Sequence, residues 1–184
     1  MDTHLKTIAA GLATALLFSG CTQTLPIKGN GAQMDIRLSS DSTGTMMETW
    51  AVHKYDDPLC EKEEKGVVLS KTMLGKGAKS LDPIRLPTDD KLTLSFFYLD
   101  ARFGVNLQCG YTVTFIPVEN QHYTARFAVV GNASSCSVDI TNAAGQPVNV
   151  TTPEYACHAG AVPERVPNGG RGVKRAPRVT VYSR

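Results

Sequence analysis

Apolar and polar positions alternate with a period of two along most of the chain, the pattern of half-buried strands. Met34-Asp35-Ile36-Arg37-Leu38 is the first such run, followed by a Ser/Thr/Gly loop at 39–45. Thr49–Tyr55 is the second, and Asp56-Asp57-Pro58 ends it with a turn signal. Glu61–Lys65 reads as a short helix or a solvated loop before the strand-like Gly66-Val67-Val68-Leu69-Ser70. Pro83 and Pro87 flank Ile84-Arg85-Leu86, which suits an edge strand or an irregular connection. The second half is clearer: Leu92, Leu94, Phe96 and Tyr98 share one face, with Thr93, Ser95 and Phe97 on the other. Tyr111, Val113, Phe115 and Pro117 repeat the pattern, as do Tyr123, Ala125, Phe127 and Val129, and Glu119-Asn120-Gln121 between them predicts a hairpin turn. Ser135–Ile140 alternates again, and Asn142-Ala143-Ala144-Gly145 turns the chain into Pro147–Thr151. Short strands at about ten-residue spacing, with no room for crossover helices, predict an all-β fold. The expectation is an antiparallel β-sandwich, Ig-like or transthyretin-like, over 34–162.

The start of the chain breaks this pattern. Lys6 precedes the apolar run Ile8–Phe18, which has the length of a signal-peptide core and is too short to span a bilayer comfortably. Phe18-Ser19-Gly20-Cys21 follows directly. This ending resembles the lipobox of bacterial lipoproteins, a bulky apolar residue and two small ones before the cysteine that is lipid-modified. The resemblance implies cleavage after Gly20, acylation of Cys21, loss of 1–20, and membrane attachment through lipid chains. Thr22, which is not Asp, implies sorting to the outer membrane in a Gram-negative cell. Residues 21–33 mix Thr, Pro, Gly and Asn and read as a flexible tether.

Assigning Cys21 to lipid leaves four cysteines, Cys60, Cys109, Cys136 and Cys157, an even number that fits two disulfides in an exported chain. Four cysteines allow three pairings. Sequential pairing, Cys60–Cys109 and Cys136–Cys157, is the expectation. Metal binding would require closer cysteine spacing, so neither a metal nor another cofactor is expected.

Charge is distributed unevenly. The chain carries a formal +2. From 163 to 184, however, Arg165, Arg171, Lys174, Arg175, Arg178 and Arg184 face only Glu164, giving that stretch +5 and the rest −3. Rich in Gly and Pro, this basic tail is not expected to fold alone, although Arg178–Tyr182 has the pattern of a strand that adds to a sheet edge. The six cations are candidate sites for an anionic surface or partner. Nucleic acid is not expected as a partner in an exported lipoprotein.

Candidate catalytic chemistry is sparse. G-x-S-x-G, G-x-G-x-x-G and P-loop patterns are absent. His53, His122 and His158 lie in different surroundings, and Asp56-Asp57, Glu61-Glu63-Glu64 and Asp89-Asp90 sit in turn-like polar stretches where carboxylates stay solvated. Tyr98, Tyr111, Phe115, Tyr123 and Phe127 read as core. The expectation is therefore a non-enzymatic, lipid-anchored binding or structural protein of the cell envelope, with a protein or envelope surface as partner. In size, anchor and strand richness it resembles the transthyretin-like accessory lipoproteins of type VI secretion, which would imply that a strand-connecting loop binds an inner-membrane partner. The competing expectation is an enzyme, or enzyme inhibitor, acting on cell-wall glycan, and it requires His53, His122 or a carboxylate to meet in a pocket.

Overall fold

The structure, a computed structural model, describes residues 30–43, 45–62, 66–74, 79–88, 90–157 and 166–175. Its strands are β1 (Ala32–Ser40), β2 (Met47–Tyr55), β3 (Val67–Leu74), β4 (Ser80–Leu86), β5 (Leu92–Arg102), β6 (Val105–Phe115), β7 (His122–Val130), β8 (Ser135–Asn142) and β9 (Arg171–Arg175). They form a β-sandwich of a four-stranded sheet, order β4-β1-β7-β8, and a five-stranded sheet, order β3-β2-β5-β6-β9. The folded body extends on both sides of the 34–162 span expected from sequence.

Alternation places the core as expected. Met34, Ile36 and Leu38 of β1 and Tyr123, Ala125, Phe127 and Val129 of β7 face Trp50 and Val52 of β2 and Leu94, Phe96 and Tyr98 of β5, all buried. Trp50 is the hub of this interior: its ring lies 4.4 Å from that of Tyr98 and meets Phe127 edge-on at 5.4 Å. Phe115 packs edge-on against Tyr123 across the sheets, and Tyr111 is partly buried beside them. The proline-flanked segment is β4, an edge strand, as its prolines require.

Two expectations are corrected, the hairpin and the disulfide pairing, and one is refined. First, Glu119-Asn120-Gln121 does not close a hairpin: β6 and β7 belong to different sheets, and the segment carries the chain across the sandwich. Asn120 adopts φ 58° there, and its N–H donates to Gly31 O at 2.8 Å, tying the crossing to the N-terminal strand. Second, the sheets are not purely antiparallel, because β1 inserts between β4 and β7 and runs parallel to β7 from Gln33–His122 to Ser40–Val129. Third, the disulfides are Cys60–Cys157 and Cys109–Cys136, not the sequential pairs. Cys109 points into the core from β6, and its neighbour there is Cys136 of β8, so this bond joins the two sheets. Sequence distance is a poor guide where strands pair across a sandwich.

The C-terminal part of the chain is a strap. After β8 it runs along the open side of β6, where Thr114 and Thr151 exchange backbone hydrogen bonds at 2.8 and 2.9 Å. It then crosses the outer face of the five-stranded sheet, where the Thr112 hydroxyl accepts the Cys157 N–H at 2.9 Å and Ser95 Oγ donates to Cys157 O. Thr93, Ser95, Thr112 and Thr114 are therefore buried, although they form the polar face of β5 and β6. On return, the Asn168 carboxamide pairs with both the N–H and the C=O of Thr112, as a strand backbone would. Gly169 then donates to Gly110 O of one sheet and accepts from Cys136 N of the other. Its φ of 77° and the 2.6 Å from an added Cβ to Cys136 O explain why glycine stands there. β9 follows on β6, so the strand in the basic stretch falls at Arg171–Arg175. The expected Arg178–Tyr182 strand lies outside the described residues.

Candidate functional site

The sandwich has two chemically different ends. The near pole is where Gly31 enters β1, and it gathers the loops 56–66, 87–91 and 116–121. The described residues of these loops include five carboxylates, Asp56, Asp57, Glu61, Asp90 and Glu119, against two lysines, Lys62 and Lys91. The far pole gathers the β1–β2 connection, the approach to β4 at Lys79, the turn 103–104 and the turn 131–134, whose charged residues among those described are Lys79 and the single carboxylate Asp41. β9 also ends there, with Lys174 and Arg175 in register with Asn106 and Val105. With strands rising about 3.3 Å per residue, the two poles stand about 30 Å apart.

Near-pole carboxylates have structural partners. Asp57 accepts the N–H groups of Leu59, Glu61 and Lys62 at 2.8 to 3.0 Å, organising the loop. Those hydrogen bonds, led by the one from Lys62, hold its carboxyl below the usual carboxylate range. Lys54 pairs with Asp56. An open cleft of about 550 Å³ lies at the same pole, between the ends of β6 and β8. Exposed Ile116 and Val118 make its wall with Val148, Asn142 and Asn149, and Lys91 is its single charged group. No acid–base pair lines it.

The far pole has a polar interior beneath an apolar tip. Glu48 and Asp100 sit opposite each other on β2 and β5, both buried. Glu48 accepts from Trp50 Nε1 at 3.3 Å and from the Tyr98 hydroxyl at 3.2 Å, and Ser40 Oγ donates to Tyr98 in turn. Burial, reinforced by the charges of Asp100 and Glu48 and opposed by the hydrogen bond from Ser40, holds the Tyr98 hydroxyl above its ordinary pKa. Asp100 Oδ2 takes two hydrogen bonds from Arg102. Asp41 caps the 131–134 turn by accepting from Gly131 N and Asn132 N, and the Arg171 guanidinium donates to the carbonyls of Gly131, Asn132 and Ala133. Above this, the two-residue turn Phe103-Gly104 joins β5 to β6. Gly104 supplies φ 77°, and Phe103 stands 95% exposed at the apex. Met46 and Met47, also exposed, flank it: Met46 N donates to Ala101 O and Met47 pairs with Ala101.

The sequence-predicted candidates are thereby sorted. Of the six tail cations, Arg171 holds a loop while Lys174 and Arg175 lie in β9 at the far pole; Arg165, Arg178 and Arg184, like Cys21 and His158, fall outside the described residues. His53 and His122 do not meet. His53 lies on the outer face of the five-stranded sheet opposite Ser95, whereas His122 lies on the outer face of the other sheet, 2.9 Å from Asp35. Among the described residues no three potential metal ligands cluster. Phe103 is not among the sequence candidates; its one local signal is the glycine that follows an aromatic in an otherwise strand-like run.

His53 gives a pH dependence. Burial, and then the Lys71 charge, lower its pKa below 6.5. The unfolded chain therefore binds a proton more readily, so this contribution to stability is full above about pH 6.5 and is lost as pH falls towards the folded pKa. Denaturation midpoints between pH 7 and 5 are expected to fall less steeply in His53→Gln than in the parent.

No protein-family model matches the chain, and no curated protein or solved structure does.

Proposed function

We propose that the protein is a lipid-anchored binding module of the cell envelope, attached through Cys21 to the outer membrane and presenting the far pole of its sandwich to an envelope partner. The polarity of the sandwich carries this reading. The chain from Cys21 enters at the acidic near pole, and the cationic, apolar-tipped far pole faces the other way. An acidic base is repelled by an anionic leaflet, and a cationic tip is drawn to anionic partners. An accessory role in a secretion apparatus fits the same arrangement, by analogy of architecture alone.

Cell fractionation tests the anchor. The parent protein is expected to stay with membranes through high-salt and carbonate washes, and Cys21→Ser to be released by them. A Cys21→Ser protein that resists both washes refutes the lipid assignment. Cross-linking from the far pole in intact cells, followed by identification of the adducts, tests the partner.

A further inference from the structure

We propose that the far pole binds anionic lipid bilayers directly, with Phe103 as the side chain that enters the interface. This names the partner of the binding module proposed above, and rests on that reading only for the direction in which the pole faces.

Three observations converge. Phe103 is 95% exposed at the tip of a hairpin whose 11-residue strands pair over their whole length, so a large apolar side chain is held out on a stiff support. Met46 and Met47 add apolar surface where β2 begins beside the end of β5. Cations lie around it: Lys79 and Arg171 are exposed, and Lys174 and Arg175 occupy the register positions beside the turn. Of the carboxylates at this pole, Glu48 and Asp100 are buried, and the exposed Asp41 is engaged by the N–H groups of Gly131 and Asn132. Basic groups around exposed apolar side chains are what an anionic interface attracts, each cation near the surface adding about fivefold in affinity.

Shape decides between a bilayer and an acidic protein. A specific protein interface buries about 800 Å² on each partner with close complementarity. The tip offers one aromatic side chain of about 200 Å² and two methionines on a convex turn. A fluid interface needs no matching pocket and accepts a convex wedge.

The test uses chain 21–184 with Cys21→Ser, so that no acyl chain contributes, sedimented with vesicles of phosphatidylcholine alone or mixed with phosphatidylglycerol. Binding is expected only to the mixed vesicles and is expected to vanish near 1 M salt, where the Debye length is about 3 Å. Phe103→Ala should weaken it about tenfold or more, and Ile116→Ala at the opposite pole should leave it unchanged. Phe103→Trp should retain binding, with its emission quenched by brominated phosphatidylglycerol. Equal binding by Phe103→Ala and the parent, or no binding to the mixed vesicles, overturns the proposal. Capture on immobilised polyglutamate without vesicle binding would put an acidic protein at this pole and overturns it too. Because acylation plays no part in this assay, its failure leaves the anchor reading standing, and failure of the Cys21→Ser fractionation leaves this one standing.

Discussion

Replacing Cys60 and Cys157 together by serine is expected to lower the unfolding free energy by about 4 to 5 kcal/mol, read as a shift of the denaturant midpoint. The bond spans 97 residues, so in the chain-entropy account it removes much of the freedom of the unfolded ensemble. The location of the loss is as informative as its size. Cys157 holds the strap over β5 and β6, where its N–H and C=O are bonded to Thr112 and Ser95. Without the disulfide, amides along the strap and at Thr114 should exchange with solvent well before those of Phe96 or Val113. The hydroxyl row of Thr93, Ser95, Thr112 and Thr114 then becomes a wettable sheet face, so the two sheets can stay packed while the strap opens. Simultaneous exchange of strap and core would show instead that the strap is integral to the cooperative unit.

Arg102→Met is expected to cost about 3 to 5 kcal/mol, because it strands a buried carboxylate. The Asp100 side chain is 0% exposed, its Oδ2 depends on Arg102, and its Oδ1 has no hydrogen-bond partner. Glu48, on the neighbouring strand, adds a second negative charge opposite it. Removing the guanidinium therefore leaves two acids facing each other in a poorly solvated interior. Thermal denaturation of Arg102→Met, Asp100→Leu and the double variant forms a cycle: the double should recover most of the loss, since an apolar pair tolerates burial that a lone charge does not. A double variant no better than Arg102→Met would mean that Arg102 acts through packing at the end of β5, not through the charge of Asp100.

Much of the architecture was legible in the sequence because it is locally encoded. Alternation in Leu92–Tyr98 and Tyr123–Val129 marks which side chains face inward, and Pro83 marks β4 as an edge. The features that escaped depend on distant parts of the chain. Nothing near Met34–Leu38 shows that β1 will lie parallel to a strand about ninety residues later, since a strand's own pattern is the same whichever neighbour it takes. The disulfide partners follow from that topology and not from spacing. Thr93, Ser95, Thr112 and Thr114 read as an ordinary polar face, and only the strap turns them into internal hydrogen-bond partners. The charge division between the poles was in the sequence all along but scattered over connecting segments far apart along the chain, and it gathers only when the strands lie side by side.

The parallel pairing of β1 has a mechanical consequence. β1 receives the chain at the near pole and is flanked on both sides, by β4 and by β7. Tension between that entry point and anything held at the far pole runs along the strand axis, so the hydrogen bonds on both flanks are loaded together in shear instead of peeling one after another. Resistance to such a pull is set by the unfolding barrier and not by the equilibrium stability. The protein can therefore be only modestly stable to heat and still bear load, as the anchored, partner-facing module proposed above would require.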